Sequence, residues 1–282
     1  MGARADAGDP AVPKSSAVPK SGLATETVAP MTDSPLFAPY HQRDNEACVA
    51  ASLAYAVGVI VRRTPRGAAL LQSASDLPSV NFAYHAMRVT DCRKRLCDCG
   101  YRCGGVCDKF CGAFLSVGLD VFQKGVPPSS FWPADKPDDK RLVEALRHAP
   151  FLNAAHVFKL TGFRALSCAS ASPTVAELQA GHPVVLNLKV YPAQKTFFLG
   201  PHGPEDGCQM PPPDPQNGAS HHMGHCVLAV GVEGASIWVR NSFGKSWGCG
   251  GDFRFPIALF NADQVYQAVA VTDAEVVNLD RI

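Results

Sequence analysis

The sequence predicts an α+β protein whose helices and strands occupy separate halves of the chain. Apolar residues fill nearly every position from Glu46 to Val61, which is typical of a buried helix. Apolar runs bounded by Gly and Pro begin at Val184 and are typical of strands. The chain has 282 residues, 46% of them hydrophobic, so it can build one large core or two small ones.

The helical elements are predicted from apolar periodicity in the first half. Asp44 or Asn45 is expected to cap the helix over residues 46–61, because short polar side chains accept hydrogen bonds from the first N–H groups. A loop rich in proline follows residue 126. Further helices are predicted over residues 79–89, 113–124 and 140–148.

Three apolar runs in the second half predict strands. The last two are separated by a short segment with Gly234, which indicates a tight turn. The runs cover residues 184–190, 226–230 and 237–240.

Residues 1–32 form a low-complexity segment in which the hexamer AVPKSS at 11–16 is followed directly by AVPKSG at 17–22. Such a segment buries too little apolar surface to fold alone. It is interpreted either as a disordered tail or as a short pro-segment that lies across the active site. The folded domain is predicted over 33–282, with a helical half at about 44–148 and a β-rich half at about 149–275.

The net charge of +1 gives no electrostatic reason to expect nucleic acid or an anionic membrane as a partner. The apolar run from Ala47 to Val61 is too short to span a bilayer. The polar N-terminus lacks the apolar region of a signal peptide, so we expect a cytoplasmic or particle-enclosed protein. The sequence makes no prediction of oligomeric state.

Cys48 is a candidate nucleophile because it lies near the predicted start of the first helix. Free N–H groups and the helix dipole stabilise an anion at that position. A thiol nucleophile also needs a base and a donor for the oxyanion. On position alone, a buried and unreactive cysteine is the alternative.

Three segments resemble the papain-like cysteine peptidases, family C1, which include the cathepsins. QRDNEAC at 42–48 is similar to the nucleophile segment, in which a glutamine stands six residues before the cysteine. GHCVLAVG at 224–231 resembles the strand that carries the histidine, and NSFGKSWG at 241–248 resembles the asparagine and tryptophan block. The resemblance is to compact bacterial or large-virus members more than to secreted plant or lysosomal ones.

The resemblance implies a two-subdomain fold, with a helical left half, a β-barrel-like right half and an active-site cleft between them. It implies that Cys48 is the nucleophile and that His225 is the base, paired with the Cys48 thiolate as an imidazolium. Asn241 would orient the imidazole, and Gln42 would form the oxyanion hole with the Cys48 N–H. His221 and His222 are competing candidates for the base.

Two aromatic residues of the third segment, Phe243 and Trp247, are implied to shield the bond between histidine and asparagine from water. Phe243 stands where the family has a tryptophan, and it lacks the indole N–H but still excludes solvent.

Four residues are implied to contact substrate. Gly112 would pair its backbone with an extended peptide, as in β-augmentation. Met223 and Gly224 precede the base, and Met223 would line the S2 subsite. Glu46 replaces a glycine at the S1 subsite, where its carboxylate would favour a basic P1 residue or simply narrow the site.

Six of the eleven cysteines fall within Cys92 to Cys111, in an insertion at 91–111. Disulfides, a structural zinc site and free thiols all remain open for this cluster. The reaction itself requires no cofactor. Candidate zinc ligands are Cys97, Cys99, Cys103 and Cys107.

These observations predict a thiol protease: a cysteine-type endopeptidase, a hydrolase acting on peptides or proteins through an acyl-thioester on Cys48. Two alternatives stay open, namely a non-catalytic papain-fold binding protein and an isopeptidase or transferase with the same triad.

Overall fold

The computed structural model describes residues 27–31, 37–42, 46–93, 112–132, 154–200, 208–213 and 223–279. It confirms the α+β class, with helices concentrated before β1 and strands after it. The helix predicted over 140–148 and nearly all of the cysteine insertion lie outside the described residues.

The helices of the first half lie close to their predicted positions. Helix α1 begins at Cys48, and its N-cap is Ala47, which has no side-chain acceptor. The prediction of Asp44 or Asn45 as the cap is therefore wrong, since the helix begins two residues later than expected. In the described part of the chain, no helix has the length and apolar character needed to cross a bilayer. The helices are α1 Cys48–Arg62, α2 Pro65–Leu70, α3 Val80–Arg93, α4 Leu115–Lys124, α5 Ser172–Gln179 and α6 Lys195–Leu199.

The second half forms a six-stranded antiparallel sheet in the order β1-β6-β2-β3-β4-β5. Its tight turn between β3 and β4 contains Gly234 at φ +56°, a backbone conformation that glycine adopts without strain. The three predicted strands are confirmed, and β3 is longer than its prediction. The strands are β1 His156–Ala165, β2 Val184–Val190, β3 Met223–Glu233, β4 Ser236–Arg240, β5 Asp252–Pro256 and β6 Val265–Asn278.

Strand alternation divides the core into two clusters. Cys226 and Leu228 of β3 pack with α1 in the larger cluster. Val227 and Ala229, the alternate residues, pack with the aromatic side chains behind the sheet. Helix α1 is buried along nearly its whole length, so β3 holds its side chains between two covered faces.

A short N-terminal segment pairs with β3 next to the beginning of β2. The Val28 N–H donates to Val232 O at 2.8 Å, and the Met31 N–H donates to Val230 O at 2.9 Å. A Cβ on Gly231 would lie 2.6 Å from Val28 O, so glycine permits this approach. These hydrogen bonds join Val28 and Met31, which lie within the predicted segment 1–32, to strand β3.

A buried ion pair holds the end of β4. The Arg240 guanidinium pairs with both carboxylate oxygens of Asp252 and donates to Phe37 O. Buried charges require such pairing because burial removes their solvation. Arg240 therefore fixes the backbone just before Asn241.

Candidate active site

Cys48 is the first residue of α1, and its side chain is completely buried. Its sulfur accepts hydrogen bonds from the backbone N–H groups of Cys226 and Val49. Because Ala47 supplies no capping side chain, the first N–H groups of α1 face this sulfur without competition from a cap. The position favours a sulfur anion through local donors and the helix dipole.

His225 and Asn241 meet because the β3–β4 pairing places their strands side by side. Asn241 Oδ1 lies 2.8 Å from His225 Nε2 and accepts the Ser242 N–H at 2.8 Å. An amide oxygen only accepts, so a neutral His225 carries its proton on Nε2. Its Nδ1 then holds the basic lone pair, and this atom has no hydrogen-bond partner among the described residues.

Gln42 is held next to Asn241 by a short antiparallel pairing. The Gln42 N–H donates to Ser242 O at 2.9 Å, and the Gly244 N–H donates to Tyr40 O at 3.0 Å. Ser242 Oγ also donates to Gln42 Oε1 at 2.5 Å. The carboxamide oxygen is thus engaged, and the NH₂ group is the part of the Gln42 side chain that can donate to an oxyanion.

Aromatic rings enclose the imidazole. The Phe243 ring stacks on His225 at 5.1 Å with an interplanar angle of 14°, and Trp247 meets Phe243 edge-on at 5.6 Å. Phe198 of α6 also meets His225, edge-on at 5.4 Å.

Sequence reasoning assigned no role to Phe198 or Ser242. Ser242 lies inside the NSFGKSWG block, and a polar side chain directly after Asn241 could have indicated a hydrogen-bonding role in the site. Phe198 gave none, because its contact with His225 depends on the path of the chain between β2 and β3.

Burial sets the protonation of the site. It raises the pKa of Cys48 to about 11, with the Glu46 charge adding to the rise and the Cys226 and Val49 N–H groups opposing it. It also lowers the pKa of His225 to about 4, although the Asn241 hydrogen bond acts in the opposite direction. Both shifts favour a neutral thiol and a neutral imidazole in this buried state, whereas the resemblance implies a thiolate–imidazolium pair.

Four residues that the resemblance implicates in the reaction are almost completely buried. Cys48 and His225 are both 0% exposed, and Gln42 and Asn241 are each 1% exposed. A cavity of about 340 Å³ lies in the helical half, between Tyr40 and Trp132, and none of these four residues lines it.

The four residues implied to bind substrate differ in how far they are buried. Glu46 is half-buried beside Cys48, and Gly112 is buried ahead of α4. Met223 is half-buried and Gly224 is buried at the start of β3. Their contacts with substrate stay predictions.

One disulfide lies outside the cysteine cluster. Cys208 and Cys249 form a disulfide with a Cα–Cα distance of 5.7 Å, which ties residues 208–213 to the turn after Trp247. In the part of the chain that the structure describes, no group of three or more His, Cys, Asp or Glu side chains could hold a metal. Outside the described residues lie the candidate zinc ligands Cys97, Cys99, Cys103 and Cys107, and the alternative bases His221 and His222.

Solved structures of cysteine proteases share this fold. Xylellain, a cysteine protease from Xylella fastidiosa, matches with a TM-score of 0.61 and 22% identity over 87% of this chain and 85% of that one. Procathepsin B from Trypanosoma congolense matches with a TM-score of 0.61 and 14% identity over 96% and 86% of the two chains. Procathepsin L 3 from the midgut of Tenebrio molitor larvae matches with a TM-score of 0.57 and 16% identity over 96% and 76%.

Identities this low show the fold, which is papain-like. The TM-scores of the bacterial and trypanosomal proteins are equal, so fold similarity does not single out bacterial members. No protein-family model and no curated protein matches the sequence.

Proposed function

We propose that the protein is a cysteine peptidase that hydrolyses peptide bonds through an acyl-thioester on Cys48. The observation that carries the proposal is the pair of contacts to Asn241 Oδ1, from His225 Nε2 and from the Ser242 N–H. They leave His225 Nδ1 as the basic atom, on the residue next to the Cys226 N–H that contacts the Cys48 sulfur. The papain-like fold adds a scaffold on which this chemistry occurs.

In the acylation step, His225 Nδ1 takes the proton of the Cys48 thiol, and the thiolate attacks the peptide carbonyl. This transfer becomes favourable as bound substrate opens the site, because hydration relieves the burial that keeps both groups neutral. The resulting imidazolium then protonates the leaving amine.

The oxyanion forms beside two donors, the Cys48 N–H at the start of α1 and the Gln42 NH₂ group. Donors fixed in advance stabilise the developing charge without reorganisation at the moment of reaction. Ser242 keeps the Gln42 carboxamide in the donating orientation. Water activated by His225 then hydrolyses the thioester and restores the thiol.

The proposed substrate is an extended peptide cut within its chain. Gly112 pairs with its backbone, and Met223 and Gly224 border the pocket for an apolar P2 side chain. Glu46 is half-buried, and its charge acts on Cys48, which supports a role for its carboxylate in attracting a basic P1 residue or in narrowing the site. The reaction needs no cofactor.

A Cys48→Ala variant tests the function directly. We expect hydrolysis of dipeptidyl fluorogenic substrates to fall to the background rate, while the matched Cys168→Ala variant, which changes a free cysteine in another part of the core, keeps its rate. Full activity in Cys48→Ala would end the assignment. An added amine acceptor separates hydrolysis from transfer, since a transferase would give the amide product.

A non-catalytic binding protein is the second candidate, and the complete burial of Cys48 and His225 favours it. It predicts no hydrolysis of any peptide by the wild-type chain, together with unchanged peptide binding in Cys48→Ala.

A further inference from the structure

A second buried thiol lies against the nucleophile. Cys226 follows His225 on β3, and its side chain lies on the opposite face, in the core shared with α1. Its N–H donates to Cys48 Sγ, and its own sulfur hydrogen-bonds to Ser52. Ser52 stands one turn after Cys48 on the same face of α1. The Cys226 thiol on β3 therefore lies close to the first turn of α1, which carries Cys48.

The two cysteines are neighbours in the core. The Cys226 N–H lowers the pKa of Cys48, and Cys48 in turn raises the pKa of Cys226, so each lies within interaction range of the other. Both cysteines are 0% exposed, and both are free thiols. Cys168 is the third free cysteine among the described residues, and it packs in the other hydrophobic cluster. Cys226 is thus the thiol placed to react with Cys48.

We propose that Cys226 is the resolving thiol for oxidised Cys48. The proposal rests on the proposed function in taking Cys48 as the reactive thiol. When the site opens and His225 has taken the thiol proton, hydrogen peroxide transfers one oxygen to the Cys48 thiolate, giving a sulfenic acid, and its second oxygen leaves as hydroxide. The Cys226 sulfur then attacks the Cys48 sulfur, the sulfenic oxygen leaves with the thiol proton as water, and a Cys48–Cys226 disulfide forms.

This link stores the nucleophile in a recoverable form. A sulfenic acid with no thiol beside it proceeds under further peroxide to sulfinic and sulfonic acids, which thiol reductants do not reverse. Exchange with an external dithiol returns both cysteines to the reduced state. The Cys48–Cys226 disulfide therefore makes peptidase activity depend on the concentrations of peroxide and of reducing thiols around the protein.

The test oxidises the full-length chain with hydrogen peroxide, blocks free thiols and maps the peptides without reduction. We expect a peptide pair joined through Cys48 and Cys226, and return of most of the initial activity after dithiothreitol. The activity of each oxidised sample is compared with that of the same protein before treatment. In Cys226→Ser we expect about tenfold lower recovery of activity than in the wild type, and sulfinic acid at Cys48. Cys226→Ala serves as a second variant, and thermal unfolding checks that both are folded.

Cys168→Ser is the matched control, and it should recover as the wild type does. The proposal is overturned if oxidised wild-type protein lacks the Cys48–Cys226 link, or if folded Cys226 variants recover as fully as the wild type. The mapping needs no turnover. If the protein forms the disulfide but hydrolyses no peptide, only the proposed peptidase function is rejected. If the protein is active but does not form the disulfide, only the pairing of Cys48 with Cys226 is rejected.

Discussion

Asn241 Oδ1 lies 2.8 Å from His225 Nε2, and it accepts the Ser242 N–H at the same distance. The second contact fixes which end of the carboxamide faces the imidazole. The ring is therefore held with its proton on Nε2 and its lone pair on Nδ1. The buried pair of Arg240 with Asp252 supports this contact through the backbone just before Asn241.

Asn241→Ala is expected to lower kcat about 10- to 150-fold with little change in KM, since a hydrogen bond to a charged imidazolium contributes about 1.5–3 kcal/mol. That bond raises the pKa of His225, so its loss should shift the acid limb of the pH–rate profile to lower pH. Steady-state kinetics across pH measure both effects. Asn278→Ala, which removes a bond to Arg66 in another part of the structure, should leave both unchanged. An unaltered kcat in folded Asn241→Ala would contradict the assigned role.

Gln42→Ala should lower kcat by about 10²–10³, the usual effect of removing one oxyanion donor. Ser242→Ala should cause a smaller loss, because it frees the Gln42 carboxamide to rotate but keeps the donor. The comparison uses kcat and KM for one fluorogenic peptide, with the surface variant Gln72→Ala as control. A rise in KM at constant kcat would instead assign Gln42 to ground-state binding.

Stability should fall as the pH drops from 6.5 to about 4, because burial lowers the pKa of folded His225 from 6.5 to about 4. Between these two pH values the unfolded chain binds a proton that the folded chain does not. This difference lowers the free energy of unfolding by about 3 kcal/mol when the pH has reached about 4. The contribution is complete above pH 6.5. His225→Gln should lack this part of the pH dependence. Urea unfolding of both proteins across the range measures it, and parallel curves would contradict the buried neutral imidazole.

Glu46→Gln should speed alkylation of Cys48 at neutral pH, because the Glu46 charge raises the pKa of the thiol. It should also reduce the ratio of kcat/KM for arginine over leucine at P1, by up to about fivefold for a partly exposed charge pair. Glu275→Gln on the exposed side of β6 is the matched charge control. Equal ratios in Glu46→Gln and wild type would remove Glu46 from the specificity site.

The elements that carry the chemistry follow from local pattern, which is why α1, β3 and the turn at Gly234 were predictable from sequence. The contact of His225 with Asn241 also followed, because the two segments are adjacent strands joined by that turn. The neutral state of Cys48 was not predictable, since desolvation depends on everything packed around the sulfur. Phe198 was missed for the same reason, its contact with His225 being set by tertiary packing.

An epoxide that traps activated thiols, followed by peptide mapping, tests the Cys48–His225 pair most directly. We expect one adduct, on Cys48, in the wild type and in Cys168→Ser. We expect no adduct in His225→Gln. No adduct on Cys48 in the wild type, or equal labelling of Cys48 in His225→Gln, would contradict this expectation.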